Sequence, residues 1–241
     1  MRLTDFKALS FGCYGTLVDR ASGLYAALQP LLSAGHISLP RDQVLGAFVR
    51  HEVAQQAETP AMIYSRVLVE AHRRLAREWG VLLSDESHAL FGHSVAHWPI
   101  FADAPPALQY LKRFFKLAVL SNVDQESFAG TARRLEVRFD AVFTAEEIGS
   151  YKPDPRNFEY LIDRLAKAGV ARGEILHVAS SLPRDQEPAA SCGIPFAWID
   201  RPPRQEGGSQ ARIPRSRGAN SAFRYANMVD MVKAHQKELF A

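Results

Sequence analysis

Nowhere in the 241 residues is there an unbroken apolar run of about 18, which excludes a helix spanning a membrane. The opening Met-Arg-Leu-Thr-Asp lacks the charged-then-apolar order of a secretory signal, so a cytoplasmic protein is expected. Cysteine is scarce. Cys13 and Cys192 stand far apart with no CxxC or Cys/His spacing, which argues against a disulfide framework and a structural zinc and marks both as small core residues. Excess charge of one sign is small, at +3, and much of it sits in Arg201, Arg204, Arg212, Arg215 and Arg217, opposed locally only by Glu206. Pro202, Pro203, Gly207, Gly208 and Ser209 share that segment and no aromatic residue interleaves the arginines. It reads as a solvated surface loop, with neither nucleic acid nor membrane as partner.

What is present is an alternation. Short apolar runs rich in branched residues recur at Ala8–Phe11, 117–120, Ala141–Thr144, Ile175–Ala179 and Phe196–Ile199, with helical patterns between most of them, as in a parallel sheet covered on both faces. Between 20 and 104 the pattern is helical only. Leu24, Tyr25, Leu28, Leu31 and Leu32 form one stripe, Leu45, Phe48, Val49 and Val53 a second, and Tyr64, Val67, Leu68, Ala71, Leu75 and Trp79 a third. For the third, Thr59 is the expected N-cap, Pro60 the first helical residue and Gly80 the stop. Pro105 and Pro106 mark the return to the sheet, and 228–240 reads as a final helix.

Four segments carry candidate chemistry. The first strand ends on Gly12 and enters Cys13, Tyr14, Gly15, Thr16 and Leu17, a layout that presents a side chain at a sheet's active end, yet Gly12 has none. After the second strand stand Ser121 and Asn122, polar groups able to hold a carboxylate or a leaving group without adding charge. Tyr151, Lys152, Pro153 and Asp154 precede a helix that Asp154 caps, with Pro155 at its first position, which sets the Lys152 ammonium over the sheet. Ile175–Ala179 runs into Ser180, Ser181 and Asp185, where a carboxylate can orient Lys152 or act on water as a general base.

These segments, in this order and covering most of the chain, resemble the four motifs of the haloacid dehalogenase superfamily. The resemblance implies an α/β fold: a Rossmann-like parallel sheet core at 1–19 and 105–241, with a helical cap at 20–104 inserted after the first strand. It places the nucleophilic aspartate of that superfamily on Gly12, and on Lys152 the lysine that keeps it ionised. Phosphatases of the superfamily have a second aspartate two residues after the nucleophile and acids in the last motif that hold magnesium. Here Tyr14 and Ser180-Ser181 stand at those places, so neither metal nor cofactor is expected and phosphoryl transfer is disfavoured.

Tyr-Gly-Thr-Leu, Ser-Asn and Tyr-Lys-Pro-Asp resemble instead the L-2-haloacid dehalogenases, in which aspartate attacks C2 with inversion, halide leaves, and water hydrolyses the ester. By that resemblance Gly12, Thr16, Lys152 and Asp185 are the catalytic positions. Tyr14, Arg50, Ser121, Asn122, Phe158 and Ser181 are the substrate-binding ones, Arg50 being chosen for its Ala-Phe-Val-Arg setting. Phe158 replaces a frequent tyrosine and Ser181 an asparagine, which removes polar groups and admits a leaving group other than halide. Azetidine-2-carboxylate hydrolases of this group open a strained ring to a 2-hydroxy-4-amino acid by the same attack.

The expectation is a hydrolase of short 2-substituted carboxylates in an inactive form without its nucleophile, and with Lys152 left in an unmatched positive environment. Ring opening of azetidine-2-carboxylate is the alternative activity. A non-catalytic pseudoenzyme binding a small ligand or a partner is the alternative of another class, and the retained Lys152 favours an Asp-to-Gly substitution in an enzyme over drift. The expected partner is a small-molecule carboxylate, and apolar faces on the cap are compatible with a homodimer.

Overall fold

The computed structural model describes residues 1–201 and 221–240. Six parallel strands, β1 (Ala8–Phe11), β2 (Lys116–Ser121), β3 (Ala141–Thr144), β4 (Ile175–Ala179), β5 (Phe196–Ile199) and β6 (Phe223–Tyr225), lie in the order β3-β2-β1-β4-β5-β6. The chain reverses its direction of travel across the sheet between β1 and β4, and ligands of open α/β sheets bind beyond the strand ends at such a point. β1 sits between β2 and β4, with Phe11 level with Val119 and Val178.

Side chains alternate between two covered faces. Leu9, Phe11, Leu117, Val119, Leu176 and Val178 join one apolar cluster with Leu108 and Leu111 of α5 (Ala104–Leu111) and Met228 and Met231 of α10 (Met228–Leu239). Ala8, Ala118, Leu120 and Ile175 face the other way, onto Phe158, Leu161 and Leu165 of α8 (Arg156–Lys167). Burial on both faces explains why the central strands read as unbroken apolar runs. Ser10 and His177, neighbours in register on the second face, are the polar exceptions.

Between β1 and β2 lie α1 (Arg20–Ala34), α2 (Arg41–Glu58), α3 (Tyr64–Glu78) and α4 (Asp85–Gly92), with no strand of the sheet among them. The insert's entry and exit are joined: Asp19 N–H donates to Pro99 O at 2.7 Å and Phe101 N–H to Leu17 O at 2.9 Å. Leu24, Leu28, Val67, Leu68 and Leu75 are fully buried and continue the first apolar cluster, so the insert shares the core of the sheet.

Four details depart from the sequence expectations. Thr59 closes α2, donating N–H and hydroxyl to Gln55 O, and α3 starts at Tyr64 behind Ile63. On α2 the inward face is Val44, Ala47, Phe48, Glu52 and Gln55, while Val53 is 48 % exposed. The start of α8 shifts by one residue, Pro155 being the half-helical residue before it, and Asp154 ahead of that proline still caps the helix by accepting Arg156 N–H at 2.9 Å. Arg201 is not a solvated loop residue: it pairs with Asp103 at 2.8 Å, stacks 4.0 Å over the Phe101 ring and donates to Thr16 O at 2.7 Å. The remaining arginines of the expected loop, with Pro202, Pro203, Glu206, Gly207, Gly208 and Ser209, lie outside the described residues. Among the described residues no helix is long and apolar enough to cross a membrane.

Candidate active site

Past the ends of β1, β2 and β4, one buried polar chain runs behind Gly12. Lys152, just before α8, donates its ammonium to Leu120 O at 2.7 Å and to the Asp185 carboxylate. Asp185 also receives His177 Nε2 at 3.2 Å, and His177 Nδ1 lies 3.0 Å from Ser10 Oγ. Burial lowers the His177 pKa, with Lys152 adding to the effect against the pull of Asp185, so the ring is neutral. It then donates Nε2–H to Asp185 and accepts the Ser10 hydroxyl on Nδ1. Burial would raise Asp185, but the Lys152 charge and the His177 bond outweigh it and hold the carboxyl down to about 2. Lys152 therefore has a matched carboxylate, against the expectation of an unmatched charge.

Gly12 is closely surrounded. A Cβ on it would lie 2.9 Å from Ala179 Cβ and 3.3 Å from both Asp185 oxygens. Asp185 thus leans over the strand end that the resemblance assigns to a nucleophile.

The other expected residues divide. Thr16 is buried and exchanges bonds with Ser180, accepting its N–H at 3.0 Å and donating to its hydroxyl at 3.2 Å, which fixes the first motif's loop against the last. Gly15, at φ +98°, makes the turn before it. Ser121 is buried at the end of β2. Asn122 clasps the Lys152 main chain, giving Nδ2–H to its carbonyl at 2.9 Å and accepting its N–H at 2.7 Å, so its side chain positions Lys152. Ser181 caps the turn Leu182–Gln186, accepting Arg184 N–H at 3.3 Å. Tyr14 points toward the insert's end, its hydroxyl 2.9 Å from Thr131 Oγ1 and its ring edge-on to Trp98.

Two substrate-binding expectations are corrected. Arg50 is on the outer face of α2, its side chain 66 % exposed and bonded to Glu78 at 3.2 Å. Phe158 is fully buried behind the sheet with its ring 4.9 Å from His177, so it walls the imidazole and not a substrate pocket.

Sequence reasoning missed the polar seam between insert and sheet. Glu52, wholly buried on α2, accepts from Arg20 at 2.6 Å and Tyr64 OH at 2.7 Å. Burial pushes its pKa up, yet Arg20, Arg184 and Tyr64 pull it below the usual carboxylate value. Asp124 caps α6 (Gln125–Leu135) through Ser127 N–H at 2.8 Å and takes Ser65 N–H of α3 at 2.7 Å. Tyr151, beside Lys152, donates its hydroxyl to Met62 O of the insert. Among the described residues no group of three His, Cys, Asp or Glu side chains is placed to hold a metal.

A lysine and a carboxylate are thus paired at the switch point of a parallel sheet, beside a helical insert, where open α/β folds bind their ligands. Residues 6–193 match the model of the haloacid dehalogenase-like hydrolases, and the chain belongs to that family. It is 27% identical over 213 residues to an (S)-2-haloacid dehalogenase of Pseudomonas putida, across 83% of this chain and 86% of that protein. In structure it resembles an L-2-haloacid dehalogenase at TM-score 0.77 and 21% identity, covering 97% of this chain and 99% of the other. The L-2-haloacid dehalogenase of Xanthobacter autotrophicus with chloropropionic acid covalently bound matches at TM-score 0.75 and 18% identity, over 96% and 98% of the chains.

Proposed function

We propose that this scaffold takes short carboxylates substituted at C2, and that the chain with Gly12 binds them without turnover. The observation that carries the reading is the buried Lys152–Asp185 pair set against Gly12. An aspartate at that position would stand beside the ammonium, attack C2, expel the substituent and leave an ester for water to cleave at the aspartyl carbonyl. Without it, catalysis falls by roughly 10⁴ to 10⁶, the scale seen when a covalent nucleophile is removed. In this reading 1–19 with 105–241 is the core domain and 20–104 a cap domain.

The test is Gly12→Asp. It should release halide from L-2-chloropropionate or open azetidine-2-carboxylate, the latter being the alternative activity of the same attack. In a single turnover in H₂¹⁸O, label should enter the new carboxylate; label confined to product would exclude the ester. A second reading, a non-catalytic binder, is favoured by the closeness of Ala179 and Asp185 to Gly12. It prevails if Gly12→Asp folds fully yet turns over neither substrate nor a phosphate ester.

A further inference from the structure

Arg184 is the loosely held charge of the site. It stands one residue before Asp185 on the turn Leu182–Gln186, with its side chain 30% exposed. Among the described residues no hydrogen bond reaches its guanidinium, and its ion-pair partner, Glu52 Oε2, is 3.7 Å away. Glu52 does not need it, because Arg20 and Tyr64 already donate to the two Glu52 oxygens. Two guanidiniums therefore face one buried carboxylate, and only that of Arg20 is hydrogen-bonded to it.

A partly exposed guanidinium with free donors is a receptor for a planar anion, because its fork matches both oxygens of a carboxylate. We infer that Arg184 anchors the carboxylate of the substrate while Arg20 remains on Glu52. Two consecutive side chains of one turn then serve two ends of the ligand, Asp185 at the end of β1 and Arg184 at the seam. The inference rests on the reading that the ligand is a short 2-substituted carboxylate. Arg50, the arginine expected from sequence, is on the wrong side of α2 for this task.

The test is titration calorimetry of the unmodified chain with L-2-chloropropionate, propionate and uncharged 2-chloropropionamide, repeated with Arg184→Gln and Arg184→Lys. Arg184→Gln leaves Glu52 its two close partners, and an unchanged urea midpoint confirms folding. Both carboxylates should bind and the amide should not. Arg184→Gln should weaken binding by about 10- to 100-fold, the worth of one charge-assisted bond, with Arg184→Lys between. In the Gly12→Asp background, Arg184→Gln should raise KM more than it lowers kcat. Equal binding by Arg184→Gln and the unmodified chain would overturn the role of Arg184 and leave the reading standing. Binding through Arg184 with no turnover by Gly12→Asp would uphold the anchor and overturn the hydrolase reading. Failure of the unmodified chain to bind either carboxylate would overturn the anchor itself.

Discussion

Replacing Asp185 by asparagine removes the carboxylate that neutralises Lys152 while keeping shape. The ammonium then keeps the Leu120 carbonyl but has no anion, in a place buried from water. Stranding one member of such a pair costs about 3–5 kcal/mol. The pH dependence separates this cost from a packing defect. The carboxyl is depressed from 3.8 to about 2 in the folded chain, which is worth roughly 2 kcal/mol of stability. Because the folded value is the lower one, this contribution is complete above pH 3.8. As pH falls toward 2 the unfolded chain takes up the proton first and the contribution is lost. Urea unfolding should therefore show the unmodified chain more stable than Asp185→Asn by a constant margin from pH 7 to about 4, with the margin shrinking between 4 and 2. A margin that stays constant to pH 2 would refute the electrostatic account and point to shape alone.

Gly12→Ala should destabilise by about 1–3 kcal/mol, the usual penalty of overpacking, because the new Cβ meets Ala179 Cβ at 2.9 Å; adding Ala179→Gly should restore the urea midpoint, and a gain from Gly12→Ala alone would show the space to be open. Asp124→Ala removes an acceptor from two helix starts, α3 and α6, and should cost about 1–2 kcal/mol, with faster hydrogen exchange at Ser65 and Ser127 rather than along the strands. His72 is lowered from 6.5 to about 4 by burial and by His88, whose Nδ1 lies 2.9 Å from its own. A folded value below the unfolded one means that its contribution is full above pH 6.5 and declines toward pH 4, so amides of α3 and α4 should exchange faster across that window, and His72→Phe should flatten the change.

β1, β2, β4 and β5 were legible because a parallel strand covered on both faces has no polar alternation to disguise it. β6 was not, since Phe223 and Tyr225 are only partly buried at the sheet's edge and Arg224 between them is exposed. Lys152 and Asp185 were found because each lies in a local motif. Arg50 was misplaced because the apolar stripe of α2 is incomplete: a buried Glu52 takes the place of an apolar residue and Val53 faces out. Burial of Glu52 depends on Arg20, 32 residues away, and on Arg184 beyond the third and fourth strands. No periodicity within one helix encodes such a pairing.

The geometry around Gly12 also bears on what Asp185 does. The Cβ of an aspartate at position 12 would start 3.3 Å from both Asp185 oxygens, which brings a second carboxylate to the ammonium that Asp185 already holds. Like charges that close do not both stay ionised without cost; Asp185 must turn aside or the pair must hold a proton. On the proposed route this conflict lapses once the position-12 carboxylate becomes an ester, which carries no charge. Asp185 is then free to settle on Lys152 and to draw a proton from the water that attacks the ester. Gly12 is uncharged too, and in this chain Asp185 rests on Lys152. On that route the Gly12 form corresponds in charge to the esterified stage rather than to the resting one, because position 12 carries no charge in either.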